Sequence, residues 1–499
     1  MHGYLVGPAD FNSVVGRVDV SWVGSIPTHF RHFLFFDCLR DNVKMDNRYR
    51  QIPKMDRLIE REDVQELINN CGQAFVVEAL RKSLDQVKSS LKEDPDITVE
   101  SILEDQIKLA LSNARLTPLS RVINTTGIIL HTNLGRAPIA KEILQEAYTQ
   151  AAGSCGLEIN MIDGKRGVRG NFVRDTLARL CGAEAGLVVN NCAAALLMIL
   201  SCFGKGKNII VSRGELIQIG GGFRIPDIIK QGGAELKEVG TTNITTMDDY
   251  KAAIDENTAA LLKVHLSNFH QGGFTKRPST AELASLKTEE MPFIEDLGSG
   301  NLLNSFGKYE LPDPTPADVI REGADLVCFS GDKLLGGSQA GLIAGKKELI
   351  DKLAKFPLMR AVRPDKFTYS LLQVIFKYYE SGQADKISPW RQISKSREEI
   401  KARIVDFKKR FGLPEDKFEI IDSLGQFGGG SLPGHTIESA AMVIANRKTD
   451  HVAEWFRRSD PPVVGVINSG RFYLDFLTMN EEDEESLGQI IRQYLKEKF

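Results

Sequence analysis

Residues 325–345 read DLVCFSGDKLLGGSQAGLIAG, and the rest of the chain is understood outward from them. Leu326 to Phe329 and Ala340 to Ala344 are short apolar runs of strand type, so Ser330 to Gln339 reads as a tight turn between two buried strands. Lys333 lies inside that turn. Desolvation or a neighbouring cation lowers a lysine's pKa and makes it a Schiff-base former. Glycines at 331, 336 and 337 leave room for a bulky group to approach the backbone. Taken alone, the stretch fits a surface hairpin with a solvated lysine equally well.

Upstream, similar apolar runs recur at Gly186 to Val189, Ile209 to Ser212, Ala234 to Val239, Ala260 to Val264 and Pro292 to Glu295, with helical text between nearly all of them. With Leu326 to Phe329 and Gly341 to Ala344 they predict an α/β fold: a mostly parallel seven-stranded sheet with helices on both faces. Such sheets bind ligands outside the carboxyl ends of their strands. Asn190, Asn191, Arg213, Asp296 and Lys333 all fall at those ends.

Flanking this region are two others. From Met45 to about Asn113, charged residues interleave with Leu58, Ile59, Val64, Leu67, Ile68, Val76, Val77, Leu80, Leu84, Ile102, Leu103, Ile107 and Leu111, which predicts a small helical domain over 45–113. Pro95 marks a break between helices and Pro118 the exit. A large domain is expected over 114–388. From Pro389 to 499, charged helical text precedes strand-like pieces at Phe418 to Ile421, Ala441 to Ala445, Val463 to Ile467 and Phe472 to Phe476, predicting a separate small α+β domain with a loop at Gly428 to Gly430 and Pro433. Residues 1–44 have no sustained period and read as an extension or an alternative start.

Composition narrows the function classes. An apolar share of 42% over 499 residues is that of a globular protein of two or three domains. A formal charge of -3 supplies no global attraction to nucleic acid, so an RNA partner would be held by a local basic surface or by an oligomer. Seven scattered cysteines without a Cys-x-x-Cys pair argue against a disulfide framework and a structural zinc site, and no metal is expected; a reducing cytoplasm fits best. No apolar run approaches the ~20 residues of a membrane helix.

Three pieces together point to a pyridoxal phosphate site of the aspartate-aminotransferase fold type. In NNCAAALLMIL a strand gives way to a helix, so free amides and the helix dipole face a phosphate, and Ala193 to Ala195 keep side chains clear. Asp296 in IEDLGSG is placed to pair with the protonated pyridine nitrogen. Lys333 is the third, with Ser330 three residues earlier able to donate to the phosphate.

The motifs RVINTTGIILHTNLGRAPIA, KRGVRGNF, VVNNCAAAL, SRGELIQIGGGFRIPDI, EVGTTN, KVHLSNF, DLGSGNL, FSGDKLLGGSQAG and PLMRAVRPDK, in that order, resemble those of the bacterial L-seryl-tRNA(Sec) selenium transferase family, also called selenocysteine synthases. The resemblance runs from about Arg50 to the C-terminus and includes an N-terminal region like the family's tRNA-binding domain. It implies a fold-type I pyridoxal enzyme in which Lys333 forms the internal aldimine, Asp296 partners the ring nitrogen, and Asn190, Asn191, Ala193, Ser330 and His265 border the cofactor. Arg136, Arg169, Arg360 and Arg363 would hold anionic groups, and guanidinium forks suit phosphate-type oxygens. Asp332 would assist the chemistry beside Lys333. The implied reaction turns seryl-tRNA(Sec) into selenocysteinyl-tRNA(Sec) through β-elimination to an aminoacrylyl-tRNA and addition of selenium from selenophosphate, in a ring of five dimers. Two positions depart from the family pattern: Cys192 stands where a third asparagine is usual, and Ser338 where a proline is. A pyridoxal lyase acting on a small amino acid or amino-sugar acid, and an RNA-binding scaffold without chemistry, are the alternative readings. The helical region argues against the first, the intact Lys333 and Asp296 against the second.

Overall fold

The computed structural model describes residues 47–116, 119–444 and 449–498; the extension expected at 1–44, Pro118 and Ala445 lie outside them. The chain divides into two compact units at Ser120/Arg121.

Helices α1 (Met55–Ile59), α2 (Glu62–Cys71), α3 (Gln73–Glu93) and α4 (Val99–Leu116) build the first unit. Val76, Leu80, Leu84, Val87 and Leu91 recur at helical spacing along α3; the first three are buried with Leu67 of α2 and Ile107 of α4, the last two with Val99 of α4. Pro95 falls between α3 and α4, as its missing N–H requires. The Arg48 guanidinium satisfies carbonyls at that bend, reaching Leu91 O and Ile97 O at 2.7 Å each.

The second unit is organised by a seven-stranded sheet. Its strands are β1 (Ala185–Val189), β2 (Asn208–Ser212), β3 (Glu235–Val239), β4 (Thr258–Val264), β5 (Phe293–Gly298), β6 (Leu326–Ser330) and β7 (Gly341–Gly345), in the spatial order β1-β7-β6-β5-β4-β2-β3. The β6-β5-β4-β2-β3 pairs are parallel. β7 is antiparallel to both β6 and β1, because the ten residues after β6 are too few for a crossover helix and close a hairpin instead. Alternate residues of each strand feed two apolar layers. Val188, Ile210, Leu261, Phe293 and Val327 face one, while Leu187, Ile209, Leu262, Ile294 and Cys328 face the other. Helix α5 (Cys192–Phe203) covers the second layer. Burial on both faces is why the strands read as continuous apolar runs.

C-terminal to these, β8 (Phe418–Gly428), β9 (Ser431–Ile444), β10 (Val466–Asn468) and β11 (Arg471–Asp475) form a four-stranded antiparallel sheet in the order β8-β9-β11-β10. It lies in the same compact unit as the large sheet, and a single core joins Phe376, Phe407, Phe427 and Phe472. β8 and β9 are far longer than their apolar runs. Pro433 sits inside β9 and not in a loop, which the ladder tolerates because β11 pairs only with Ala441 to Ile444 and the β8 register is bulged between Gln426 and Gly428. The expected run Val463 to Ile467 is split: Val463–Val464 pairs in parallel with Ile123–Asn124, and Val466 begins β10. Among the described residues no helix is long and apolar enough to cross a membrane.

Candidate active site

Lys333 follows β6 by three residues and is 4% exposed, so the surface-hairpin reading fails. Burial holds its amine below the usual lysine range, and the Arg136 guanidinium acts in the same direction; Cys192, Asp296 and Asp332 oppose them. The turn is pinned on both sides of the lysine. Ala137 N donates to Asp332 O at 3.1 Å and Leu334 N to Ser299 O at 3.0 Å. Two glycines leave the amine free to be approached: a Cβ built on Gly298 would stand 3.8 Å from Lys333 Nζ, and one on Gly430 would stand 3.6 Å from it.

Asp296, in β5, is 7% exposed. Its Oδ1 accepts from Gly298 N at 3.0 Å and lies 3.6 Å from Cys192 Sγ. Burial raises its carboxyl above the ordinary range, and the nearby Lys333 amine opposes that rise. Ligand-type atoms of Cys192, Asp296 and Cys328 all lie within 4.8 Å of one another. Hydrogen bonding to Cys192 and burial push the Cys328 thiol well up, so Cys328 meets the acid as a protonated S–H group. No Cys-x-x-Cys spacing marks this pair in the sequence, because one thiol opens α5 and the other sits in the middle of β6.

Asn191 caps α5, its side-chain oxygen accepting from Ala194 N at 2.8 Å. Among the described residues the amides of Cys192 and Ala193 donate to no backbone oxygen, as expected of a first helical turn. Asn190 N is tied to Val362 O at 2.9 Å. Ser330 closes β6 and is buried.

Arg136 sits in the left-handed backbone region, φ 64°, and pairs with Asp332 at 2.8 Å. Such strain persists only where surrounding bonds over-determine it; here the Asp332 pair and Arg136 N to His131 O at 3.1 Å do so. Arg169 and Arg363 converge on one carboxylate, Glu158, at 2.7 and 3.6 Å. Arg169 also donates to Pro364 O at 2.8 Å and lies over the Tyr369 ring. Arg360 is exposed and makes no ion pair among the described residues. Arg213, after β2, pairs with Glu238 at 2.9 Å. His265 N donates to Asp296 O at 2.9 Å, and its Nε2 stands 3.0 Å from Asp313 Oδ1 without hydrogen-bond alignment. His131 Nδ1 is buried without a hydrogen-bond partner.

Glu215, absent from the sequence reading, is buried behind the site and accepts from Val264 N at 3.0 Å, at the end of β4. Its only sequence signal is its place in SRGELIQ. Burial pushes its carboxyl up to about 7, against the opposing Val264 bond and Lys263 charge. A raised folded pKa means that the native state holds the proton more tightly than the unfolded chain does. Stability is therefore lost as pH rises from 4.5 through about 7. Glu215→Gln keeps an acceptor for Val264 N without the charge. It is expected to stabilise the protein by about 3 kcal/mol at pH 8, with a much smaller gain at pH 5; urea titrations at the two pH values check this.

The family model described as L-seryl-tRNA selenium transferase matches residues 122–480, and the one described as selenocysteine synthase N terminal matches 49–87. L-seryl-tRNA(Sec) selenium transferase of Carboxydothermus hydrogenoformans is 39% identical over 467 residues, covering 91% of this chain and 99% of its own. The Geobacter sulfurreducens protein of that name is 38% identical over 458 residues (89% and 99%). The one from Hyphomonas neptunium is 40% identical over 465 residues (90% and 99%). Among solved structures, D-glucosaminate-6-phosphate ammonia-lyase superposes with a TM-score of 0.53 over 75% of this chain and 95% of its own, at 19% identity, which speaks to the fold alone. With matches of this extent in both units, the chain belongs to the L-seryl-tRNA(Sec) selenium transferase family.

Proposed function

We propose that the protein replaces the seryl hydroxyl of L-seryl-tRNA(Sec) by selenium from selenophosphate, giving L-selenocysteinyl-tRNA(Sec) and phosphate, with pyridoxal 5'-phosphate as cofactor. The observation that carries this reading is the buried, pKa-lowered Lys333 amine near the buried Asp296 carboxylate, at the carboxyl ends of a mostly parallel sheet in a chain of this family. These residues fit the cofactor: Lys333 is the amine that would hold its aldehyde carbon, and Asp296 the acid for its ring nitrogen. The amides of Cys192 and Ala193, with Ser330, would meet its phosphate, Asn191 capping the turn that carries them. When bound, the cofactor supplies an electron sink for the carbanion formed at the substrate α-carbon.

The chain's own groups do the rest. The buried Lys333 amine, its pKa held below the ordinary lysine range, would be the group that takes the α-proton and returns it. Asp332 pairs with the Arg136 guanidinium at 2.8 Å and so holds that charge where it acts on the amine, which makes it a positioning residue in this reading. Arg136, Arg169, Arg360 and Arg363 would bind the doubly charged donor, Glu158 keeping two of them aligned until it arrives. Arg363→Ala or Arg360→Ala is then expected to raise the KM for selenophosphate by about 10- to 100-fold, the range of a charge-assisted hydrogen bond, with tRNA affinity unchanged. Initial rates against donor concentration beside band shifts check this; equal losses in both would assign the arginines a structural role.

The helical unit from 47 to 116 is proposed to hold the tRNA, by shape and a few basic side chains. A homo-oligomer, in the family form a ring of five dimers, would let one subunit's helices present tRNA to another's site. Ile159, Met161, Ile162 and Phe172, exposed beside a cavity of about 890 Å³, supply an apolar surface for such contact. A cytoplasmic location accords with the free thiols. The competing small-molecule lyase reading is tested by a band shift with tRNA(Sec): specific retardation supports the tRNA enzyme, and none supports the lyase.

A further inference from the structure

The hairpin turn between β8 and β9 enters the site from the C-terminal sheet. Gly428, Gly429 and Gly430 all have φ between 61° and 73°, a run that only glycine adopts without strain. Ser267, Asn268 and this turn, continuing through Ser431 to Thr436, line a cavity of about 280 Å³. It lies against the reactive amine: a Cβ on Gly430 would be 3.6 Å from both Lys333 Nζ and Asn268 Cβ. Its polar groups are unspent. Ser431 is 3% exposed, and its hydroxyl has no hydrogen-bond partner. The Gly429 and Gly430 amides donate to no backbone oxygen among the described residues. Asn268 donates its side-chain N–H to Gln218 O at 2.7 Å, which fixes the side chain with its oxygen uncommitted.

What is missing from the lining is as informative. No lysine or arginine is among the residues that border the cavity, and the His435 imidazole is the one titratable side chain there. A free amino acid bound with its amine at Lys333 would place an ionised carboxylate within two bonds of that amine's carbon, and burying a carboxylate without a cation is costly. An ester carbonyl in the same place needs only neutral donors. We propose that Ser431 and the Gly429–Gly430 amides, facing Ser267 and Asn268, form the subsite for the ester carbonyl and adjoining ribose of an aminoacyl ester, and that this lining, with neither lysine nor arginine, disfavours the carboxylate of free serine. The inference rests on the reading that the substrate is an aminoacyl-tRNA, and adds the group that separates it from a free amino acid.

The test is calorimetric binding to the cofactor-loaded, full-length protein, with L-serine methyl ester and L-serine as probes and no selenium donor or tRNA present. The ester is expected to bind at least about tenfold more tightly than the acid, and Ser431→Ala to weaken the ester by about two- to tenfold, the range of one neutral hydrogen bond, without changing L-serine binding. Ser431→Lys, which supplies the missing cation, is expected to reverse the preference. Cofactor absorbance verifies loading in each variant. Equal affinity for ester and acid, no binding of either, or a Ser431→Ala variant indistinguishable from wild type overturns the subsite. Failure of the function reading looks different: the ester preference stands while seryl-tRNA(Sec) is left unchanged in a turnover assay.

Discussion

Lys333→Ala is expected to abolish covalent attachment of pyridoxal phosphate, removing the characteristic cofactor absorbance, and to lower turnover of seryl-tRNA(Sec) by at least about 10³-fold, since one residue supplies both the anchoring amine and the α-proton acceptor. The fold should survive. The turn that carries the lysine is held by backbone bonds from Ala137 and Leu334, neither of which uses the side chain. Burial lowers the folded-state pKa of Lys333, so the unfolded chain binds its proton more tightly and charge burial costs stability at pH values below the unfolded pKa of 10.5. That cost fades as pH rises towards 10.5. The cofactor-free Ala variant should accordingly be at least as stable as cofactor-free wild type at pH 7, with an advantage that shrinks as pH is raised. Thermal melts of the two apo proteins at pH 7 and pH 10 measure this separately from activity. A variant that retained covalent cofactor would place the reactive amine elsewhere.

Asp296→Asn carries the second largest effect. The amide keeps the shape and an oxygen for Gly298 N, 3.0 Å away in the wild type, but it removes the charge that would keep the ring nitrogen protonated. Turnover is expected to fall by about 10²-fold or more, the scale of losing one preorganised electrostatic partner, while cofactor attachment to Lys333 persists. The carboxyl's raised folded pKa implies that its charge is a burden to the cofactor-free protein, present above that pKa and relieved as pH falls through it. Asp296→Asn should therefore stabilise the apo form at pH 8. Titrating cofactor into wild type and variant separates the two consequences: a weaker stabilisation of the variant by the cofactor is the expected result.

All seven strands of the large sheet were legible because parallel strands buried on both faces are written as short apolar runs. Asp296 comes directly after the apolar run Pro292 to Glu295 and Lys333 four residues after Phe329, which is what made both read as strand-end positions. The C-terminal strands were legible in part: Phe418 to Ile421, Ala441 to Ile444 and Phe472 to Asp475 each lie on one, but β8 and β9 run well beyond these apolar pieces. Ser431 to Ser439 reads SLPGHTIES, mostly polar with Pro433 and Gly434 adjacent, so the text looks like a loop, and only pairing with β8 makes it a strand. Long-range juxtapositions were equally hidden: Cys192 beside Asp296, Arg169 and Arg363 on Glu158, and Gly430 against Lys333. None of these has a spacing signature, because each joins segments that only the sheet topology brings together. Glu215 carries no such signal, because a lone glutamate after a strand reads as a solvated turn residue. Its burial is decided by the packing of Val264 and its neighbours.

The most direct measurement is a single-turnover reaction of the cofactor-loaded protein with seryl-tRNA(Sec) and selenophosphate, identifying the amino acid that remains esterified to the tRNA. Selenocysteine on the tRNA, formed by wild type and not by Lys333→Ala, is the predicted result. Unchanged serine, from protein whose absorbance shows a fully attached cofactor, would contradict the account and favour a lyase acting on a small molecule.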